Sequence, residues 1–235
     1  VNGATDAPNA IATVVSTRAM KPKHAIVMAA ICNFLGLLVI SLFTAAVAHT
    51  IFNMVDFGGD ARQSLIALMA AMVAIIVWGV AAWWFGIPTS QSHSLIAGLT
   101  GAAIALQGGF GAINGEEWIK VVYGILLSTL LGFFLGWFNS KIIGRLCANM
   151  DRHKTASVFR WAQIVSGAGV AFMHGAQDGQ KFMSIFVLAI MLASGTDGAE
   201  NMALPLWLMV FCAFNMGLGT AVGGERIIKS VGLDM

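Results

Sequence analysis

The stretch Gly3-Ala4-Thr5-Asp6-Ala7-Pro8-Asn9-Ala10 returns in altered form as His174-Gly175-Ala176-Gln177-Asp178-Gly179-Gln180-Lys181. Each copy sets an aspartate three residues after a glycine, within strongly apolar sequence. The chain is 58% hydrophobic and 10% charged, whereas soluble domains carry about 25% charged residues. It therefore reads as a membrane protein. A carboxylate at membrane depth costs about 3 kcal/mol even on lenient insertion scales, so an aspartate there is a functional candidate. Two related copies predict an internally duplicated, all-α polytopic protein with one site between its halves.

Spans follow from the requirement for about 20 apolar residues per bilayer crossing. Ala25 to Val47, Ala61 to Phe85, Trp118 to Phe138 and Leu204 to Val222 meet it. Arg160 to Ala193 is too long for one straight crossing, and its glycines and polar side chains predict a break or unwinding at the second motif. Lys and Arg mark cytoplasmic loops. Arg18, Lys21 and Lys23 form one such loop, and Lys141 to Arg160 holds a second cluster. Asp56 and Asp60, and later Asp197 and Glu200, mark outer loops. The helices that follow the two motifs then run in opposite directions, the pattern of inverted-topology repeats. The expected organisation is a first repeat over 1–140, a basic cytoplasmic loop over 141–157 and a second repeat over 158–235.

A third constellation, Pro88-Thr89-Ser90-Gln91-Ser92-His93-Ser94, packs polar side chains that lipid cannot satisfy. Pro88 predicts a helix start, with Thr89 or Ser90 as its cap. The free backbone N–H groups and the positive end of the helix dipole suit an anion. Surrounding hydroxyls fit a tetrahedral oxyanion such as phosphate. Asp6 and Asp178, with Thr5 and Gln177, offer oxygen ligands for a small cation. Anion donors beside cation acceptors imply cation-coupled anion transport.

The net charge of +2 gives no basis for nucleic-acid binding. Cys32, Cys147 and Cys212 lack metal-ligand spacing and read as packing residues. The glycines Gly124, Gly132 and Gly136 read as small-residue surfaces for helix contact.

These motifs resemble the inorganic phosphate transporters (PiT family). The family signature Gly-Ala-Asn-Asp-Val-Ala-Asn is similar to Gly3 through Asn9, with Thr5 and Pro8 substituted, and His-Gly-Ala-Asn-Asp-Ala-Gln-Lys is similar to His174 through Lys181. Pro-Val-Ser-Thr-Thr-His is similar to Pro88 through His93, with Gln91 and Ser92 in place of the two threonines. The tail from Gly219 to Lys229 resembles the family helix that precedes a second serine-rich hairpin. The spacing from Asp6 to Ser90 would place that hairpin near position 262, past Met235, so the chain is expected to be incomplete at both ends.

The resemblance implies a cation-coupled inorganic phosphate symporter using alternating access, with a re-entrant-type serine-rich hairpin. It would be multi-pass in a bacterial-type plasma membrane, and not an enzyme. Phosphate ligands are expected at Asn9, Ser90, Gln91, Ser92, His93 and Gln180, and cation ligands at Asp6, Asp178, Thr5 and Gln177. Na⁺ at Asp6 and Asp178, or H⁺, would be the coupling cation, with no other cofactor. The bilayer is the expected environment, and a homodimer is open. The alternatives are a transporter of sulfate or arsenate, or an intramembrane enzyme using the two aspartates as a dyad.

Overall fold

The computed structural model describes residues 1–44, 46–58, 60–87, 89–194 and 205–232. Pro88, expected to start the hairpin helix, and the acidic loop with Asp197 and Glu200 lie outside the described residues. The described chain is helical, in agreement with the all-α expectation. Its elements are α1 (Asn2–Thr5), a 3-10 segment (Ala7–Ile11), α2 (Ala12–Ser16), α3 (Pro22–Phe43), α4 (Ala46–Asn53), α5 (Ala61–Phe85) and α6 (Gln91–Gln107). A short 3-10 turn (Phe110–Ala112) leads to α7 (Gly115–Leu146), α8 (Arg152–Ser194) and α9 (Leu206–Gly232).

Among the described residues four helices are long and apolar enough to cross a membrane: α3, α5, α7 and the Leu206–Gly223 part of α9. At 1.5 Å per residue, the 22 residues of α3 reach about 33 Å, the thickness of a hydrocarbon core. The span expected from Ala25 to Val47 stops short, because the chain leaves the helix at Thr44 with extended backbone before α4 begins. Local chemistry sets other ends. Asp60 caps α5 by accepting from the Arg62 and Gln63 amides, and Gly86 closes it with φ of 68°, a left-handed conformation that favours glycine. Asn114 caps α7 in the same way, with Glu116 and Glu117 at its positive end.

Two sequence expectations need correction. The second motif does not break its helix: α8 is continuous for 43 residues. Gly175 and Gly179 retain their amides, so no backbone bond is lost, and neighbouring helices pack against the bare glycine faces. The basic segment over 141–157 is largely helical, since only Cys147 to Asp151 separate α7 from α8.

Close helix approach organises the interior. Gly175 lies so near the Asn33 backbone of α3 that an added Cβ would overlap it, and Gly36 abuts the Phe172 carbonyl in the same way. Gly179 faces Leu37, and Gly167 faces Val14. On α8, Gly167, buried Ala171, Gly175 and Gly179 recur every four residues and give the helix a flat stripe against α2 and α3. The first motif packs on the other half: Gly3 abuts the Met216 carbonyl of α9, and Gly223 abuts Ala4. In lipid such packing, not water exclusion, holds helices together. Around the contacts, Leu37, Met183 and Leu208 are fully buried in one apolar cluster, and Ile11, Val14 and Ala29 in another. The hairpin of α5 and α6 contributes a third, with Leu68, Ile75, Leu95 and Leu99. By contrast, Gly124, Gly132, Gly136 and Gly144 on α7 face no atom within 4 Å among the described residues.

Candidate substrate and cation site

The packing brings all three motifs to one polar layer. The first motif is interrupted, because Pro8 has no N–H to continue an α-helix. The backbone tightens into the 3-10 segment with Asp6 at its head, and the Asn9 amide donates to the Asp6 carbonyl at 3.0 Å. The start of α6 points at this aspartate: the Gln91 backbone N–H donates to Asp6 Oδ2 at 3.0 Å. Ser90 caps α6 by accepting from the His93 amide at 3.4 Å.

The second aspartate is enclosed by side chains. Ser92 Oγ donates to Asp178 Oδ1 at 3.1 Å, and Lys181 Nζ donates to the same oxygen at 2.7 Å. Lys181 Nζ also donates to Ser92 Oγ at 2.9 Å, closing a triangle. Asn2 Nδ2 donates to Asp178 Oδ2 at 3.3 Å, and His174 Nε2 lies 3.4 Å from that oxygen. His174 Nδ1 meets Asn33 Oδ1 at 2.8 Å. Asn33 Nδ2 in turn donates to Thr220 Oγ1 at 3.3 Å, joining the layer to α3 and α9.

One ligand atom each from Asp6, His174 and Asp178 lies within 4.8 Å of the others. Asp6 and Asp178 are buried, at 9% and 8% exposed. Four buried polar atoms of the layer have no hydrogen-bond partner among the described residues: Asp6 Oδ1, Asn2 Oδ1, Gln91 Nε2 and His174 Nε2. Buried polar groups are ordinarily paired, so the layer carries unused ligating capacity. A cleft of about 470 Å³ reaches it past Asn9, Thr89 and Ser90, and one of about 480 Å³ past Ser166, Gln177 and Asp178. A cavity of about 420 Å³, sharing no lining residue with either, meets the layer at Asn2 and Gln91.

The predicted residues divide accordingly. Asp6, Asp178, Gln91 and Ser92 are in the layer. Ser90, Asn9 and Gln177 line the clefts. Three others do not converge there. The His93 side chain is exposed. Thr5 donates back to the Val1 and Asn2 carbonyls. Gln180, 1% exposed, donates to the Thr44 carbonyl at 2.7 Å and holds the end of α3. Asn2, His174, Lys181 and Asn33 belong to the layer without having been chosen from the sequence. A signal for two of them existed. Asn2 and His174 both stand four residues before the motif aspartate, on the same helical face.

The chain matches the phosphate transporter family over residues 2–156 and 144–235. It belongs to that family. Family members are multi-pass membrane transporters, not enzymes, which removes the aspartyl-dyad alternative. The chain is 39% identical over 232 residues to a probable low-affinity inorganic phosphate transporter of Bacillus subtilis, covering 99% of this chain and 68% of that protein. It is 33% identical to the low-affinity inorganic phosphate transporter PitB of Escherichia coli, over 86% of this chain and 45% of PitB. This phosphate transporter family chain thus spans about half to two thirds of its relatives' length. Its fold also superposes on a solved sodium-dependent phosphate transporter with a TM-score of 0.85 at 20% identity, over 98% of this chain and 74% of the other.

Proposed function

We propose that this chain carries the polar core of a cation-coupled inorganic phosphate symporter that works by alternating access. The observation that carries the reading is the meeting of the serine-rich helix start with both aspartates: Gln91 N–H on Asp6 and Ser92 Oγ on Asp178. The N-terminus of α6, with Ser90 and Ser92, supplies anion donors. Asp6 and Asp178 supply the cation site. Asn9 and Gln91 complete the phosphate set, and Gln177 stands at the cleft mouth.

Two carboxylates alone repel phosphate, and a bound cation reduces that repulsion, so each ion favours the other's binding. Coupling follows from this mutual dependence. A cleft and a cavity with separate linings that both meet the layer support access from two sides in turn. The reciprocal packing, first motif on α9 and second motif on α3, supports repeats of inverted topology.

The test is radiolabelled phosphate uptake by the full-length protein in proteoliposomes under imposed Na⁺ or pH gradients. Uptake driven by either gradient is expected, and the effective gradient identifies the coupling ion. Absence of uptake under both, with folded protein, overturns the reading. Sulfate and arsenate competition separates phosphate from other tetrahedral oxyanions.

A further inference from the structure

We infer that the exposed basic surface where the α2–α3 turn meets the start of α8 binds an anionic phospholipid by its phosphodiester headgroup. The surface is separate from the two aspartates, and the inference does not depend on which ion is transported.

Two segments far apart in the chain form this surface. Arg18, Lys21 and Lys23 flank the turn into α3, and Lys154 and Arg160 lie near the start of α8. Arg160 joins the two: its Nε donates to the Ala19 carbonyl at 2.8 Å, which seats the guanidinium on the turn beside Arg18. A second bridge, from Gln163 Nε2 to Thr13 Oγ1 at 2.8 Å, holds α8 against α2. Beneath them Val15, Ala19 and Ala25 are buried in one apolar cluster, with Ile164 packed against it. Turn and helix therefore present one continuous face.

The charges on this face are uncompensated. Arg18, Lys21, Lys23, Lys154 and Arg160 are all exposed. The ion pairs among the described residues, Lys120–Glu117, His174–Asp178 and Lys181–Asp178, involve none of them. Asp151, the acid nearest in sequence to Lys154, accepts the His153 backbone amide at 2.9 Å. Guanidinium and ammonium groups gathered without carboxylates suit phosphate oxygens. An arginine whose Nε is already anchored holds its remaining N–H donors in a fixed fork.

The apolar surface beside the charges decides between a lipid and a free anion. On α8, Lys154, Val158, Trp161 and Val165 follow at spacings of four, three and four residues, which sets them along one helix face. On α3, Lys23, Val27 and Ile31 do the same. Val158, Trp161, Val165, Val27 and Ile31 are all exposed. Each stripe begins with a cation and continues as apolar surface, the order of a headgroup and its acyl chain. Tryptophan favours the boundary between headgroups and chains. A free anion gains nothing from such stripes.

The test places the full-length protein in mixed micelles with phosphatidylglycerol or phosphatidylcholine carrying brominated acyl chains, which quench nearby tryptophans. Subtracting the Trp161→Phe signal in each background isolates Trp161. Phosphatidylglycerol is expected to quench it at a mole fraction at least tenfold below that of phosphatidylcholine, and added salt should narrow the difference. Arg160→Gln and Lys154→Gln should each reduce the preference about fivefold. Lys120→Gln, near the start of α7, should leave it unchanged. Thermal unfolding in detergent checks that each variant is folded. Should Arg160→Gln fail to fold for want of its Ala19 contact, Lys154→Gln carries the test. Equal quenching by the two lipids overturns the inference, as does an unchanged preference in the folded variants. So does loss of the preference in inorganic phosphate but not in chloride of equal ionic strength, which would make the surface a site for the free anion.

Discussion

The two motif copies share a spacing and differ in backbone. Around Asp6 the chain is cut into a four-residue helix, a 3-10 segment and a five-residue helix. Around Asp178 it is one helix without interruption. Proline at position 8 accounts for the first, and the retained amides of Gly179 and Gln180 permit the second. The surroundings differ as well. Asp178 is held by Asn2, Ser92 and Lys181, whereas Asp6 accepts one backbone N–H and keeps an oxygen free. The two copies thus bring their carboxylates together in different surroundings: one is anchored by protein, the other keeps an oxygen without a partner among the described residues.

The sharpest way to break this contrast is Asp178→Asn. It leaves the partly buried Lys181 ammonium without its charge partner, and losing a hydrogen bond between charged groups costs about 1.5–3 kcal/mol. Phosphate uptake should be lost and the thermal transition of the protein in detergent lowered. A second substitution tests the packing that supports the anchored copy. Gly175→Ala drives a methyl into the Asn33 backbone and should cost about 1–3 kcal/mol. Gly169→Ala on the same helix meets open space and should be neutral or stabilising by up to about 1 kcal/mol.

Asp6→Asn should separate function from stability. Uptake should fall to background while stability changes by about 1 kcal/mol or less, because only one hydrogen bond to a backbone amide is altered. Equal destabilisation by Asp6→Asn and Asp178→Asn would erase the proposed division. The smallest effect is expected for His93→Gln. Its side chain is exposed, and stability should stay within about 0.5 kcal/mol, as thermal unfolding would show.

Much of the site was legible because its chemistry is written in short segments. A buried carboxylate, a helix-capping serine and a glycine needed for close approach each carry a local signature, so Asp6, Asp178, Ser90 and Ser92 could be chosen from the sequence. Direction was harder. Thr5, Gln180 and His93 lie in the motifs, yet their side chains turn to their own backbone, to the end of α3 and to the exterior. One residue of helical rotation moves a side chain by about 100°, and motif membership alone does not fix which way it faces. Lys181 pairs with Asp178 three residues before it on the same helix, whereas Asn33 bonds Thr220 and His174, which lie far along the chain.

The sequence by itself determined a membrane-embedded all-α protein, its duplicated motifs and its kinship to phosphate transporters, because hydropathy, spacing and residue type are properties of the chain alone. Tertiary structure decided that α8 runs unbroken through its motif, that Asp178 is caged while Asp6 is not, and that Asn33 orients His174. Those outcomes depend on which helix surfaces meet at the glycine contacts, and such contacts join residues more than 100 positions apart.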